Sequence, residues 1–343
     1  MKIKVGISGF GRIGRLAFRR MIEDEDFEIV AINNGSTAEN LAYLLKYDTA
    51  HRIFKGHDIS WEDNNIIFDG KKIPCFKQYD PTLIDWKKYG AELILECSGK
   101  FKGIKTAGPH ITNGGAKIVL ISAPADKDTP TVVYGVNDDI ITKDMTILSG
   151  ASCTTNCLAP VMKVLEDKFG VEGGFMTTVH AYTNDQSTLD GDKEKDFRRG
   201  RTAATNIIPT TSGAASALHL VLPKLKGRLH GGALRVPVID GSLVDLSLTL
   251  KKKVTVEDIN NAMKEASETY LKDILGYNDE LIVSNDILGS TYGGVYDATQ
   301  TLVFDNPEGK QFVKVVAWYD NEYSYTCQYI RLAKAIAKKQ GLI

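Results

Sequence analysis

The chain has 343 residues, 43% hydrophobic and 25% charged, with 42 Lys and Arg against 43 Asp and Glu for a net charge of −1. That composition is globular, and at roughly 150 residues per domain it predicts two domains, which excludes a disordered, collagenous or fibrous chain. With no global positive field, nucleic acid is not expected as a partner, and any anionic ligand is small and held locally.

The opening residues lack the apolar core of a signal peptide, and no uncharged apolar run of about 18 residues occurs, so a soluble chain without membrane association is expected. Five scattered cysteines, Cys75, Cys97, Cys153, Cys157 and Cys327, suit a reducing cytoplasm better than a disulfide framework.

In chain order, residues 2–8 read as a strand, glycines follow, and 12–23 carry Ile13, Leu16, Ala17 and Met21 at helical spacing. A strand over 27–32 completes a βαβ unit, which crosses over right-handed and starts a parallel sheet. Further strands are expected at 92–97, 117–122, 131–134 and 146–149, with a helix over 104–112. This alternation predicts a doubly wound α/β domain. After residue 149 a helix over about 154–169 leads into longer strands at 174–182, 232–238, 243–251, 299–303 and 312–319, a mixed or antiparallel sheet with helices on it. The polar stretch 183–201 reads as a functional or partner-contacting loop. The last helix, 322–339, lines up Tyr325, Tyr329, Leu332 and Ile336 for packing onto a domain.

Gly9-Phe10-Gly11-Arg12-Ile13-Gly14 fits G-x-G-x-x-G between a strand and a helix, the context that a dinucleotide-binding turn requires. About 20 residues on, where NAD enzymes place a carboxylate for the adenosine ribose, stands Asn34. An Asp there would repel a 2′-phosphate, while no Arg follows to clamp one, so the cofactor is read as NAD or NADP.

Ser152-Cys153-Thr154-Thr155-Asn156-Cys157 puts Cys153 at a helix start, where unpaired N–H groups and the macrodipole lower a thiol pKa. Zinc needs about four ligands and no second Cys/His pair has ligand spacing, so no metal is expected. His180 ends a strand in the same domain and is the candidate base for that thiol. Arg198, Arg199 and Arg201 with Thr210, Thr211, Ser212 and Gly213, and Arg235 in Leu234-Arg235-Val236-Pro237, combine cations and hydroxyls as small-phosphate sites do.

The G-F-G-R-I-G-R turn, A-S-C-T-T-N-C-L-A-P, T-T-V-H-A-Y-T-N-D-Q, the R-V-P strand and W-Y-D-N-E-Y occur in that order over nearly the whole chain. Together they resemble the phosphorylating glyceraldehyde-3-phosphate dehydrogenase family, bacterial type. The resemblance implies a Rossmann domain over 1–152 with 320–343 packing back on it, and an α+β catalytic domain over 153–319. It implies Cys153 as nucleophile, His180 as base, and Asn321 at the nicotinamide amide. Thr183 and Arg235 would hold the phosphate of glyceraldehyde 3-phosphate, while Ser152, Thr154, Arg199, Ser212 and Gly213 would hold inorganic phosphate. Arg12, Ile13 and Ser122 would add cofactor contacts beside the Gly9 to Gly14 turn. A cytoplasmic homotetramer is implied, in which loop 183–201 reaches toward a neighbour's cofactor. Ser8, Asn34, Tyr79, and Asp190-Gly191-Asp192 without a proline depart from the usual pattern, all at the adenosine end. Two other functions fit the scaffold: an erythrose-4-phosphate dehydrogenase, against which Thr183 speaks, and an idle nucleotide-binding or surface-adhesion paralogue, against which the intact Cys153 and His180 speak.

Overall fold

The computed structural model describes residues 2–343. They divide into two compact units, one of residues 2–132, Asp138–Ser152 and Tyr329–Ile343, the other of Val133–Asn137 and Cys153–Gln328.

In the first unit β1 (Ile3–Ser8), α1 (Arg12–Ile22) and β2 (Phe27–Asn33) form the expected βαβ start. Next come α2 (Ala38–Lys46), β3 (Ile59–Glu62), β4 (Asn65–Phe68), β5 (Lys71–Phe76), β6 (Leu93–Glu96), β7 (Ile118–Ile121) and β8 (Ile147–Ser149). They make one eight-stranded sheet in the order β3-β4-β5-β2-β1-β6-β7-β8. The run from β5 to β8 is parallel, whereas β3 and β4 add an antiparallel edge. Every residue of β6 and β7 is buried, as parallel strands covered on both faces require. Trp86, Ile94, Val119 and Ile121 anchor the core on one side. Tyr329, Leu332 and Ile336 of the C-terminal helix (Tyr323–Lys339) are buried, the Tyr329 hydroxyl donates to Leu120 O, and Lys334 pairs with Asp24 at 3.2 Å.

Two expectations change in detail. The helix expected over 104–112 is two short turns, α3 (Ile104–Ala107) and α4 (Pro109–Thr112), broken where Pro109 has no N–H to donate. Residues 131–134 form no strand: Thr131 makes an isolated bridge to Ser149, and Val133 N–H goes to Asn137 Oδ1 at 2.8 Å instead of to a strand neighbour.

The second unit holds α5 (Cys153–Phe169), β9 (Val171–Ala181), β10 (Ile208–Thr211), α6 (Ala214–Ala217), β11 (Leu229–Val236) and β12 (Ser242–Leu250). It continues through α7 (Val256–Glu268), β13 (Leu275–Asn278), β14 (Gly294–Asp305) and β15 (Gln311–Tyr319). The seven strands form a mixed sheet ordered β10-β11-β9-β12-β15-β14-β13. Helices α5 and α7 pack on it against β14. Side chains alternate along β9, so Met176 and Thr178 are buried while Phe175 is 68% exposed. Leu302 and Phe304 on β14 are likewise about three-fifths exposed, at 59% and 60%. Residues 320–328 stay with this unit, since Asn321 N–H donates to Asp240 Oδ1 and Ser242 Oγ donates to Asn321 Oδ1.

Candidate active site

In an open parallel sheet ligands bind beyond the carboxyl ends of the strands, where the strand order reverses. In the first unit that point lies between β1 and β6, and the Gly9 to Gly14 turn leaves β1 there. Gly9 has φ +90°, and a Cβ on it would lie 2.4 Å from Ser98 N. A Cβ on Gly14 would lie 2.1 Å from Gly9 O, so strand and helix touch through the third glycine. Around Gly11 nothing lies within 4 Å of such a Cβ, and no side chain caps α1. The turn therefore has the tight bend, the close packing and the open backbone face that a pyrophosphate needs, and a dinucleotide fits it.

Other residues expected at the cofactor take defined places in this unit. Asn34 Oδ1 accepts Phe10 N–H at 3.2 Å, which ties the end of β2 to the turn. Ser122 follows β7, its N–H donating to Glu96 O at 2.9 Å. Arg12 is engaged bidentately by Asp48, with Nη2 to Oδ1 at 3.0 Å. Burial opposes charge on Asp48, yet Arg12 and the His51 N–H hold its carboxyl below the ordinary value.

In the second unit, Cys153 opens α5 and its Sγ lies 3.5 Å from His180 Nε2. His180 Nδ1 lies 2.6 Å from Ala181 O, which can only accept, and 3.2 Å from Arg235 Nη1, which can only donate; the shorter contact assigns the proton to Nδ1 and leaves the Nε2 lone pair facing the thiol. The register of β9 with β11 sets Arg235 directly beside His180. Arg235 Nη1 donates to Thr183 Oγ1 at 2.8 Å and Ala181 O at 3.1 Å, while its buried Nε has no partner among the described residues.

The expected low thiol pKa is not what burial produces. Desolvation pushes the Cys153 thiol above its ordinary value, although Arg235 and the Thr154 hydroxyl and N–H pull it down. Desolvation, reinforced by Arg235, drives His180 to about 4. Neither charge is favoured alone, so the resting pair is a neutral thiol and a neutral imidazole, and a proton leaving sulfur has Nε2 as its acceptor. Burial without a compensating cation pushes Cys75 to about 11 and Cys97 to about 12, and it also pushes Cys157 well above its ordinary value, its Sγ lying 3.8 Å from Ala317 O.

Arg199 is brought beside the 210–213 segment, with Nε to Thr210 Oγ1 at 3.0 Å and Nη2 to Thr211 O at 3.3 Å. It also pairs with Asp185 and, at 3.0 Å, with Asp196. Ser212 Oγ accepts Ala214 N–H at 3.3 Å, and Gly213 begins α6. Thr154 is turned inward, with Oγ1 2.9 Å from the Tyr319 hydroxyl, and Ser152, half-buried, immediately precedes Cys153. Asn321 Oδ1 is occupied by the Ser242 hydroxyl at 2.6 Å, so the free face of its amide is the Nδ2 donor.

Three supporting residues escaped the sequence reading. Tyr319 joins Thr154 to Thr178, accepting or donating at 2.9 and 2.8 Å, with its ring edge-on to His180 at 5.9 Å. Ser242 links Ala181 N–H to Asn321, and Asp240 holds the Asn321 N–H. The signal for Tyr319 was its place in the W-Y-D-N-E-Y motif; Ser242 and Asp240 carried none.

Comparison with known proteins matches residues 3–104 to the glyceraldehyde 3-phosphate dehydrogenase NAD binding domain and residues 152–321 to the glyceraldehyde 3-phosphate dehydrogenase C-terminal domain. Similar curated proteins are the glyceraldehyde-3-phosphate dehydrogenase of Clostridium pasteurianum, 51% identical over 336 residues, and glyceraldehyde-3-phosphate dehydrogenase 2 of Bacillus subtilis, 47% identical over 340. A third, from Streptococcus pyogenes, is 49% identical over 339 residues. Each alignment covers at least 98% of both chains.

Proposed function

Since the chain belongs to the glyceraldehyde-3-phosphate dehydrogenase family and is an NAD-dependent oxidoreductase of it, we propose that it oxidises glyceraldehyde 3-phosphate to 1,3-bisphosphoglycerate with uptake of inorganic phosphate. The observation that carries this reading is the Cys153 Sγ to His180 Nε2 approach at 3.5 Å, with the imidazole tautomer set by Ala181 O.

In this reading the first unit binds the dinucleotide through Gly9, Phe10, Gly11, Arg12, Ile13, Gly14, Asn34 and Ser122, and Asn321 offers Nδ2–H to the nicotinamide carboxamide. Cys153 adds to the aldehyde carbon as Nε2 of His180 takes the thiol proton. That proton is returned to the carbonyl oxygen, giving a hemithioacetal. His180 then withdraws the hydroxyl proton as the carbon–hydrogen bond breaks, leaving a thioester on Cys153. Bound nicotinamide supplies the acceptor for that hydride. Inorganic phosphate attacks the thioester carbon, the sulfur leaves, and the acyl phosphate departs.

Arg235 and Thr183 hold the substrate phosphate; the orphaned Arg235 Nε is the donor that such an anion would satisfy. Ser152, Thr154, Arg199, Ser212 and Gly213 hold the attacking phosphate, for which Arg199 exchanges a carboxylate partner. Both NAD and NADP are read as acceptable, because Asn34 removes the charge that would repel a 2′-phosphate. The bare apolar sheet face with Phe175, Leu302 and Phe304, and the exposed Leu189 and Phe197 on loop 183–201, support a homotetramer. The cysteines are all free, which supports a cytoplasmic location.

The test follows NADH and NADPH formation from glyceraldehyde 3-phosphate and from erythrose 4-phosphate, with and without phosphate. Phosphate-dependent turnover preferring the triose supports the reading. A preference for the tetrose, or turnover indifferent to phosphate, refutes it.

A further inference from the structure

Strands β2, β5 and β6 run parallel, so the segments that follow them leave one edge of the first unit's sheet, the edge that carries the Gly9 turn. Asn34 N–H donates to Phe76 O at 3.0 Å, and Asn33 Nδ2 donates to Gln78 O at 2.9 Å, which zips the end of β2 to the segment after β5. That segment brings Tyr79 over Gly35: a Cβ on Gly35 would lie 2.7 Å from the Tyr79 hydroxyl. Two ammonium groups flank the same ring, Lys77 Nζ at 5.4 Å from its centroid and Lys100 Nζ at 5.1 Å. Lys77 comes from the end of β5 and Lys100 from the loop after β6.

Asn34 contributes a donor to this corner. Its Oδ1 is committed to Phe10 N–H, so the polar atom left for a ligand is Nδ2, where a carboxylate would present only acceptors. Asp80 stands next to Tyr79 and stays charged, its Oδ1 taking Thr82 N–H and Thr82 Oγ1 at 2.9 and 2.7 Å, so the two ammonium groups outnumber one carboxylate. Asn34, just past the end of β2 and 20 residues beyond Gly14, stands where this fold meets the adenosine ribose 2′ position. Around that position the chain gathers an amide donor and two cations.

We propose that Asn34, Lys77 and Lys100 form a subsite for an adenosine 2′-phosphate, with Tyr79 holding the two lysines over Gly35. The proposal rests on the reading that a dinucleotide binds at the Gly9 to Gly14 turn. Lysine suits the task as a flexible point charge that follows a phosphate, and because both lysines are exposed, their attraction to it is screened by salt. Within the subsite the 2′-phosphate is attracted, not merely tolerated. Cofactor selectivity is then set by residues 43 and 66 positions beyond Asn34 as well as by Asn34 itself.

The experiment is calorimetric titration of the whole chain with adenosine 2′-monophosphate, adenosine 5′-monophosphate, NAD and NADP. Adenosine 2′-monophosphate binds at least about fivefold tighter than its 5′ isomer in the parent, and the preference shrinks as salt is raised. In the Lys77→Ala, Lys100→Ala double variant the preference disappears and NADP affinity falls by about an order of magnitude, while NAD affinity stays within about twofold. Arginine at both positions restores the preference, and Asn34→Asp lowers affinity for the 2′-phosphorylated ligands alone. Equal binding of the two isomers by the parent, or equal loss of NAD and NADP in the double variant, overturns the subsite while leaving the dinucleotide reading intact. Failure of the parent to bind NAD overturns both.

Discussion

Replacing His180 by Asn removes the acceptor that faces Cys153 at 3.5 Å from near the end of β9. At that distance a thiolate and an imidazolium attract by about 5 kcal/mol at an effective dielectric of about 20, which is what offsets the burial that opposes either charge alone. Part of the attraction is spent on desolvation, and a positioned base contributes from about 10² to 10⁴ in rate. We therefore expect alkylation of Cys153 by iodoacetamide near pH 7 to fall at least about a hundredfold, or roughly 2.7 kcal/mol. The parent shows a neutral-pH plateau, because the proton moves within the pair without being lost to solvent. The variant's rate climbs about tenfold per pH unit, since the thiol alone titrates above its ordinary value. Matching profiles, or rates within about threefold at pH 7, would show that Arg235 and the helix terminus ionise the thiol unaided.

Cys153→Ala abolishes phosphate-dependent turnover and leaves NAD affinity within about twofold, because the thiol and the glycine turn lie in different units; turnover within tenfold of the parent is incompatible with its role. His180 also marks a pH dependence of stability. Its native pKa of about 4 is below the ordinary 6.5, so between those values the unfolded chain binds a proton that the native chain refuses. Stability is full above about pH 6.5 and falls by roughly 3 kcal/mol on acidification to pH 4; urea midpoints of the parent drop more steeply there than those of His180→Asn, and parallel slopes would contradict the assignment. Tyr319→Phe strands the buried Thr154 hydroxyl, while the Thr178 hydroxyl keeps Leu243 O at 3.0 Å, and costs about 1–3 kcal/mol in denaturant unfolding; an unchanged midpoint would mean that the Thr154 hydroxyl finds another partner.

Local rules made the glycine turn and its βαβ setting readable, because each glycine's constraint is a matter of a few neighbouring atoms. The candidate pair of Cys153 and His180 was readable as a helix-start thiol and a strand-end imidazole, but their charge state was not. Burial decides it, and burial comes from residues such as Tyr319, 139 positions after His180. Lys77 and Lys100 were invisible for the same reason, since only the parallel register brings their loops to Asn34. The β4–β5 hairpin went unread despite a legible signal, Asp69-Gly70 with φ 47° and 77° between the apolar residues Ile66, Ile67 and Phe68 on one side and the alternating Ile73 and Cys75 on the other. Helix α7 likewise announces itself through the Thr255–Asp258 capping box. The extra turn at 133–137 had no such marker, because Asn137 reaches back to Val133 in place of a strand partner.

The covalent thioester on Cys153 is the central claim, and a rapid-quench single turnover without phosphate tests it most directly. With NAD and glyceraldehyde 3-phosphate supplied, the account predicts one equivalent of NADH per chain and a phosphoglyceroyl mass increase confined to the Cys153 peptide, discharged on adding phosphate. NADH formed in that burst without an adduct on Cys153, or with the adduct on Cys157 or another residue, would contradict it.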